Sequence, residues 1–218
     1  VAFPVTVVDD FNRANNVSLG ANWTEAVNGK NNRAEISSNQ VSTATGAGAS
    51  SMAAWTKADG RSGKSIACQI TAAAFANTTD ILGLGVTKVS DTTKGYHVEF
   101  DNLGADVVSA IINDSTATTL ATVTATGYGK ILAGDVQGFV ALDNGATCSI
   151  EVWLGRSGVY TRVATATGSG AEYLAGDYYG ALRVKYDTEF LDDFGADLVT
   201  TFPADNPPIG ILGRGAGW

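Results

Sequence analysis

The segment Gly95-Tyr96-His97-Val98-Glu99-Phe100-Asp101 gathers several of the sequence's most reactive side chains into a short span. Apolar residues occupy every second position there, the period of a strand with one buried face. Tyr96, Val98 and Phe100 are therefore expected to point inward, and His97, Glu99 and Asp101 outward. Glu151 and Trp153 take the outward places in a second alternating segment, Thr147-Cys148-Ser149-Ile150-Glu151-Val152-Trp153. If these strands are close in one sheet, an aromatic ring and several polar groups share a face. Sugars are held by that combination, a ring to stack on and polar groups to read hydroxyls. His97, Glu99, Asp101, Glu151 and Trp153 thus form a candidate glycan platform. The plain alternatives are an ordinary solvated sheet face or a face covered by a neighbouring subunit. His97 is the single histidine and has no second histidine or cysteine for a transition-metal site, so it reads as a surface residue.

The elements that must carry these side chains are strands. Period-2 alternation, bounded by Gly, Asn, Asp or Ser, predicts strands near 5–11, 34–41, 52–55, 65–73, 80–89, 95–101, 106–113, 118–125, 135–142, 147–154, 160–164, 178–186 and 189–200. Asn28-Gly29, Asp59-Gly60 and Asn144-Gly145 supply turn residues that tolerate positive φ. The 26 glycines, with runs of Thr, Ser, Ala and Asn, fit a turn-rich β fold in which helix is scarce. So many strands do not fit one flat sheet, and two packed antiparallel sheets in a jelly-roll sandwich over 1–201 are the expected architecture. The stretch 202–218 has three prolines, four glycines and no alternation. It reads as an extended arm whose Ile209, Ile211, Leu212 and Trp218 dock on this domain or on a neighbouring subunit, a loosely ordered terminus being the alternative.

Bulk composition narrows the partners. With 44% hydrophobic and 17% charged residues the chain has the material for a core. Fourteen basic against 22 acidic residues give a net charge of −8 and no basic stripe, which argues against nucleic acid. No segment reads as a membrane span or an unprocessed signal peptide. Cys68 and Cys148 lie in alternating apolar strands and form no metal-binding set; buried free thiols and a disulfide both remain open.

Asp9-Asp10-Phe11-Asn12-Arg13-Ala14-Asn15, followed by Leu19-Gly20-Ala21-Asn22-Trp23-Thr24, resembles the opening of concanavalin A-like, laminin G-like modules of phage structural and bacterial surface proteins. Tyr96-His97-Val98-Glu99-Phe100 resembles a central strand of that family, and Leu191-Asp192-Asp193-Phe194 its final strand, which returns beside the first. The resemblance spans roughly residues 5 to 200. It implies that Phe11 and Phe194 close the core at the shared edge while Trp23 pins the first long loop. It also implies that Asp9, Asp10, Asp192 and Asp193 come together. Such carboxylates suit calcium, and neutralisation by Arg13 or Lys185 is the alternative; the cofactor expectation is otherwise none.

Polysaccharide-cleaving members of the family carry a Glu-x-Asp-x-x-Glu pattern. The nearest match is Glu99-Phe100-Asp101, continued by Asn102-Leu103-Gly104, so the second catalytic Glu is missing. A retaining glycosidase needs a carboxylate pair about 5 Å apart, so the chain reads as non-enzymatic. The resemblance points first to a virion structural or adhesion protein, such as a phage capsid decoration, tail or fibre component. Such a protein would act at the virion surface or outside the cell, with other virion proteins, copies of itself and surface glycan as partners, and would be homo-oligomeric or particle-bound. A secreted carbohydrate-binding module is the second reading, and a polysaccharide hydrolase or lyase the third.

Overall fold

The computed structural model describes residues 3, 5–25, 27–28, 33–43, 51–75, 81–102, 104–185 and 189–202. Two antiparallel sheets face each other. The first runs in the order β13 (Val159–Ser169), β12 (Thr147–Arg156), β11 (Val136–Asp143), β6 (Ile66–Phe75), β15 (Glu189–Leu198), β4 (Gln40–Thr43) and β3 (Ala34–Ser37), with β1 (Val7–Asp9) added beside β15. The second runs β10 (Thr118–Thr124), β9 (Val108–Asn113), β8 (Asp91–Asp101), β7 (Ile81–Lys88), β14 (Tyr178–Val184), β5 (Ser51–Trp55) and β2 (Trp23–Glu25). Among the described residues the helical content is one 3-10 turn, Gly170–Glu172. This is the all-β jelly-roll sandwich that the alternation predicts.

The alternation explains the core. Val98 and Phe100 from β8, Leu84 and Val86 from β7, Cys68 and Ile70 from β6, and Ile150 and Val152 from β12 meet between the sheets, all essentially without solvent contact. Burying these side chains supplies the main driving force for closing the sandwich. The first and last strands pair, with Val7 opposite Gly195 and Asp9 opposite Phe194. Trp23 stands between the two phenylalanines, its ring centroid 5.7 Å from that of Phe11 and 5.0 Å from that of Phe194. The closure implied by the resemblance is therefore present.

Some local structure departs from the expectation. The segment 34–41 is not one strand: β3 and β4 form a hairpin through Ser38 and Asn39, with φ of 54° and 63°. Two left-handed residues match a type I′ turn, which lacks its usual glycine here. The short β2 lies where no strand is expected. Cys68 and Cys148 are buried free thiols. Across the sheet Cys68 stands opposite Phe139 while Cys148 stands opposite Asp143, so the two are not cross-strand neighbours.

Both sheets are also packed on parts of their outer faces. On the first, Phe3, Val5, Val140, Leu142, Trp153, Tyr160 and Val199 make a small second core. Phe3 reaches the sheet because Gly138 has no side chain; a Cβ there would come within 2.5 Å of its ring. On the second, Val27 packs on Met52, Ala54 and Ala181. Of the expected arm, Phe202 packs against the first of these clusters, whereas Ile209, Ile211, Leu212 and Trp218 lie outside the described residues.

Candidate functional site

The five residues of the expected glycan platform do not share a face. His97, Glu99 and Asp101 belong to β8 in the seven-stranded sheet, Glu151 and Trp153 to β12 in the other. All five alternate with core residues as expected and so lie on outer sides, but on opposite sides of the sandwich. His97 and Trp153 have no exposed surface. Trp153 is covered by Phe3, whose ring centroid is 5.8 Å away, and Phe3 in turn stacks on Tyr160 at 5.7 Å. The Trp153 ring is thus unavailable for stacking on a sugar, and His97 is not a surface residue. The assumption that failed is that the outer side of an antiparallel sheet is open to water.

On the second sheet the buried His97 and Arg183 form a polar cluster with Asp114 and the partly exposed Glu99. His97 Nδ1 lies 2.7 Å from Asp114, and Nε2 lies 2.8 Å from Arg183 Nη1 and 3.2 Å from Glu99 Oε1. One ring nitrogen cannot serve both of the latter. A neutral ring donates from Nδ1 to Asp114 and accepts from Arg183; a protonated ring would serve Glu99 instead. Arg183 also donates directly to Glu99. Burial acts against the charged Glu99 carboxylate, but hydrogen bonding from His97 and the Arg183 guanidinium outweigh it and bring its pKa down to about 2. A general acid needs a pKa near the working pH, so Glu99 is poorly suited to donate a proton. Asp101 is half-buried at the end of the same strand. Glu151, on the other sheet, does not complete a catalytic pair with Glu99.

The acidic residues of the terminal strands do approach one another. Asp192 has its pKa raised by burial and by the neighbouring charges of Asp193, Asp10 and Asp9. Asp9, however, is fully engaged. Its Oδ1 accepts from Arg13 Nη1 at 2.6 Å and from the Phe11 N–H at 2.9 Å. Its Oδ2 accepts from Arg13 Nη2 at 3.0 Å and from Trp23 Nε1 at 2.8 Å. A carboxylate offers about four lone-pair sites, and all four are used. Asp10 is exposed and caps the Asn12 N–H. Among the described residues no group of three or more His, Cys, Asp or Glu side chains is placed to hold a metal ion. The quartet Asp9, Asp10, Asp192 and Asp193 does not fit calcium as a set, because Asp9 already gives its acceptor sites to Arg13, Trp23 and the Phe11 N–H.

An open groove lies elsewhere, along the seam where β10 and β13, the end strands of the two sheets, run against each other. It holds about 350 Å³ and is lined by Thr124, Ala125, Thr126, Gly127, Tyr128, Thr161, Arg162 and Val163. A second depression of about 300 Å³, which shares Arg162 and Val163, extends it along β13. Tyr128 is half-buried, with the Arg156 guanidinium carbon 4.6 Å from its ring centroid. Burial and the nearby Asp135 charge raise its pKa, so the ring stays neutral. Arg162 Nη1 donates to Glu151 Oε1 at 2.6 Å, and Trp153 Nε1 donates to Glu151 Oε2 at 3.1 Å. Two residues of the expected platform therefore sit behind this groove and fix one of its walls.

No family model matches the sequence, and no curated protein is similar to it. Among solved structures the fold is similar to the carbohydrate recognition domain of Emp47p, with a TM-score of 0.53 and 9% identity over 90% of this chain and 95% of that one. It is similar to the exoplasmic/lumenal domain of VIP36 in its Ca2+-bound form, with a TM-score of 0.54 and 12% identity over 91% and 92% of the two chains. It is also similar to GH43B of the Bacteroides ovatus xyloglucan locus, with a TM-score of 0.54 and 14% identity over 91% of this chain but 40% of that one. At these identities the likeness is one of fold. The two-sheet antiparallel jelly-roll sandwich is the architecture of this chain, and it is the fold shared with these domains.

The seam residues Thr124, Thr126, Tyr128, Thr161 and Arg162 are not singled out by the sequence reading. Their signal is faint: the threonine-rich runs Thr122-Val123-Thr124-Ala125-Thr126 and Thr161-Arg162-Val163-Ala164-Thr165 look like ordinary solvated strands. Only the topology brings two such edges together.

Proposed function

We propose that this chain is a non-catalytic carbohydrate-binding module that works outside the cell. The observation that carries the reading is the extent of the fold correspondence, which runs through at least 90% of both chains for the Emp47p carbohydrate recognition domain and the VIP36 exoplasmic/lumenal domain. VIP36 has also been solved bound to Ca2+ and Man3GlcNAc, with a TM-score of 0.51 to this chain. The carboxylate chemistry supports binding over cleavage: Glu99 is held ionised by His97 and Arg183, and Glu151 lies on the far sheet tied to Arg162. No helix of the described residues is long and apolar enough to cross a membrane. Nothing in the fold favours virion assembly over this reading, and the apolar residues of the arm that motivated it lie outside the described residues.

A glycan array probed with the whole chain, run beside a reducing-sugar assay on the glycans it retains, tests the proposal. Saturable retention without sugar release is expected. Release of reducing ends, or an array with no signal, would overturn it.

A further inference from the structure

Building on the carbohydrate-binding reading, we infer that the sugar seats in the groove between β10 and β13, and that it is a neutral glycan. The groove's lining matches what a pyranose presents. Val163 and the half-buried Tyr128 offer apolar contact for ring carbons, and the exposed Thr124, Thr126 and Thr161 offer hydroxyls that both donate and accept. The Arg162 guanidinium adds donors at one wall. Its volume of about 350 Å³ falls in the range of small-ligand sites and suits a short stretch of one or two sugar units.

Charge decides the ligand class. Each cation at the groove faces a buried carboxylate: Arg162 faces Glu151, and Arg156 Nη2 donates to Asp135 at 2.5 Å. Both carboxylates keep only 4% of their side-chain surface exposed, so the compensation is built in. An acidic glycan would meet no uncompensated cation here, and the chain's net charge of −8 repels it at longer range. A neutral sugar incurs neither penalty. Because Glu151 already holds Arg162, little side-chain freedom is lost when a ligand arrives.

The alternatives are less suited. Part of each outer sheet face is packed by the chain's own Phe3 or Val27. A depression of about 310 Å³ beside Val8, Arg13, Asn22 and Lys57 contains Trp55, but that residue is only 3% exposed, whereas Tyr128 is half-buried. Another of about 400 Å³, between Asn15–Val17 and Glu35–Ser37, has no aromatic residue in its lining.

The test is affinity electrophoresis of the whole chain in native gels containing laminarin, xyloglucan or galactomannan, with alginate as the anionic counterpart. Thr161→Trp fills the groove from an exposed position, Arg162→Ala removes a donor wall, and Lys57→Ala serves as a control at the other depression. Wild type and Lys57→Ala are expected to be retarded by at least one neutral polysaccharide. The two groove variants should bind about tenfold more weakly, the loss of roughly one good contact. Thermal melting of each variant is read alongside; should Thr161→Trp fail to fold, the double variant Thr126→Ala, Thr161→Ala, which deletes only hydroxyls, takes its place. Groove variants retarded like wild type would overturn the seam site and leave the module reading intact. Stronger retardation in alginate would overturn the neutral assignment. No retardation of wild type in any of the neutral gels would overturn both the site and the reading beneath it.

Discussion

Arg162 and Glu151 join across the β12–β13 pair at 2.6 Å, linking a side chain that keeps 40% of its surface in solvent to one that keeps 4%. Trp153 completes the arrangement from behind by donating its indole N–H to the same carboxylate. The groove wall is thus anchored to the small outer core under Phe3, which ties ligand binding to the packing of the N-terminal segment.

A double-mutant cycle should reveal this anchoring. Arg162→Ala removes the guanidinium from a buried carboxylate, a change that costs more than loss of an exposed pair. Combined with Glu151→Gln, the total loss in urea unfolding should fall short of the sum of the single losses by about 1 to 3 kcal/mol. Simple additivity would show that the pair is incidental.

Acid stability should depend on Glu99. Its folded pKa of about 2 lies below its ordinary value of 4.5. The stabilisation is therefore complete above about pH 4.5 and is lost as pH falls toward 2. Glu99→Gln should lower stability at neutral pH and flatten the loss in that acid window, read as melting temperature against pH. A variant whose curve runs parallel to wild type through the window would contradict the assignment.

Asp9 is a structural residue, and its removal should behave as such. Asp9→Asn replaces two charged acceptors with one carbonyl oxygen opposite Arg13, Trp23 and the Phe11 N–H. A loss of about 2 to 4 kcal/mol is expected, the cost of breaking a partly buried, hydrogen-bonded ion pair. The loss should be the same in EDTA as in millimolar calcium. A calcium-dependent difference between wild type and variant would make Asp9 a metal ligand.

Phe3 should shield Trp153. Phe3→Ala opens the outer cluster of the first sheet and is expected to cost about 3 kcal/mol, as for other deletions of a buried ring. Quenching of tryptophan fluorescence by acrylamide should rise with it. Unchanged quenching would mean that Trp153 is covered by something other than this ring.

Alternation made the sandwich legible, since Tyr96, Val98 and Phe100 could be assigned inward from their spacing alone. Motifs at the two ends of the domain implied the pairing of β1 with β15 and the pinning role of Trp23. Exposure was less legible. Period-2 spacing separates the inside of a sandwich from its outside, but it does not tell whether the outside is wet. Phe3 and Val27 come from segments with little strand pattern, and they bury Trp153 on one sheet and Met52 on the other. The seam groove was invisible for a related reason: Thr124 and Thr161 are far apart in sequence, and their meeting depends on which strands end the two sheets. The Ser38–Asn39 turn was missed on local chemistry, because it takes two left-handed residues without a glycine, and β2 was missed as well.

The account turns on where a sugar touches the protein. Amide chemical shifts recorded during titration with a short neutral oligosaccharide, taken from the polysaccharide that retards the chain most, report this directly. Changes should centre on residues 124–128 and 161–163, with smaller effects at Glu151. Shifts centred instead on the His97–Arg183 face, or the absence of any saturable change, would contradict it.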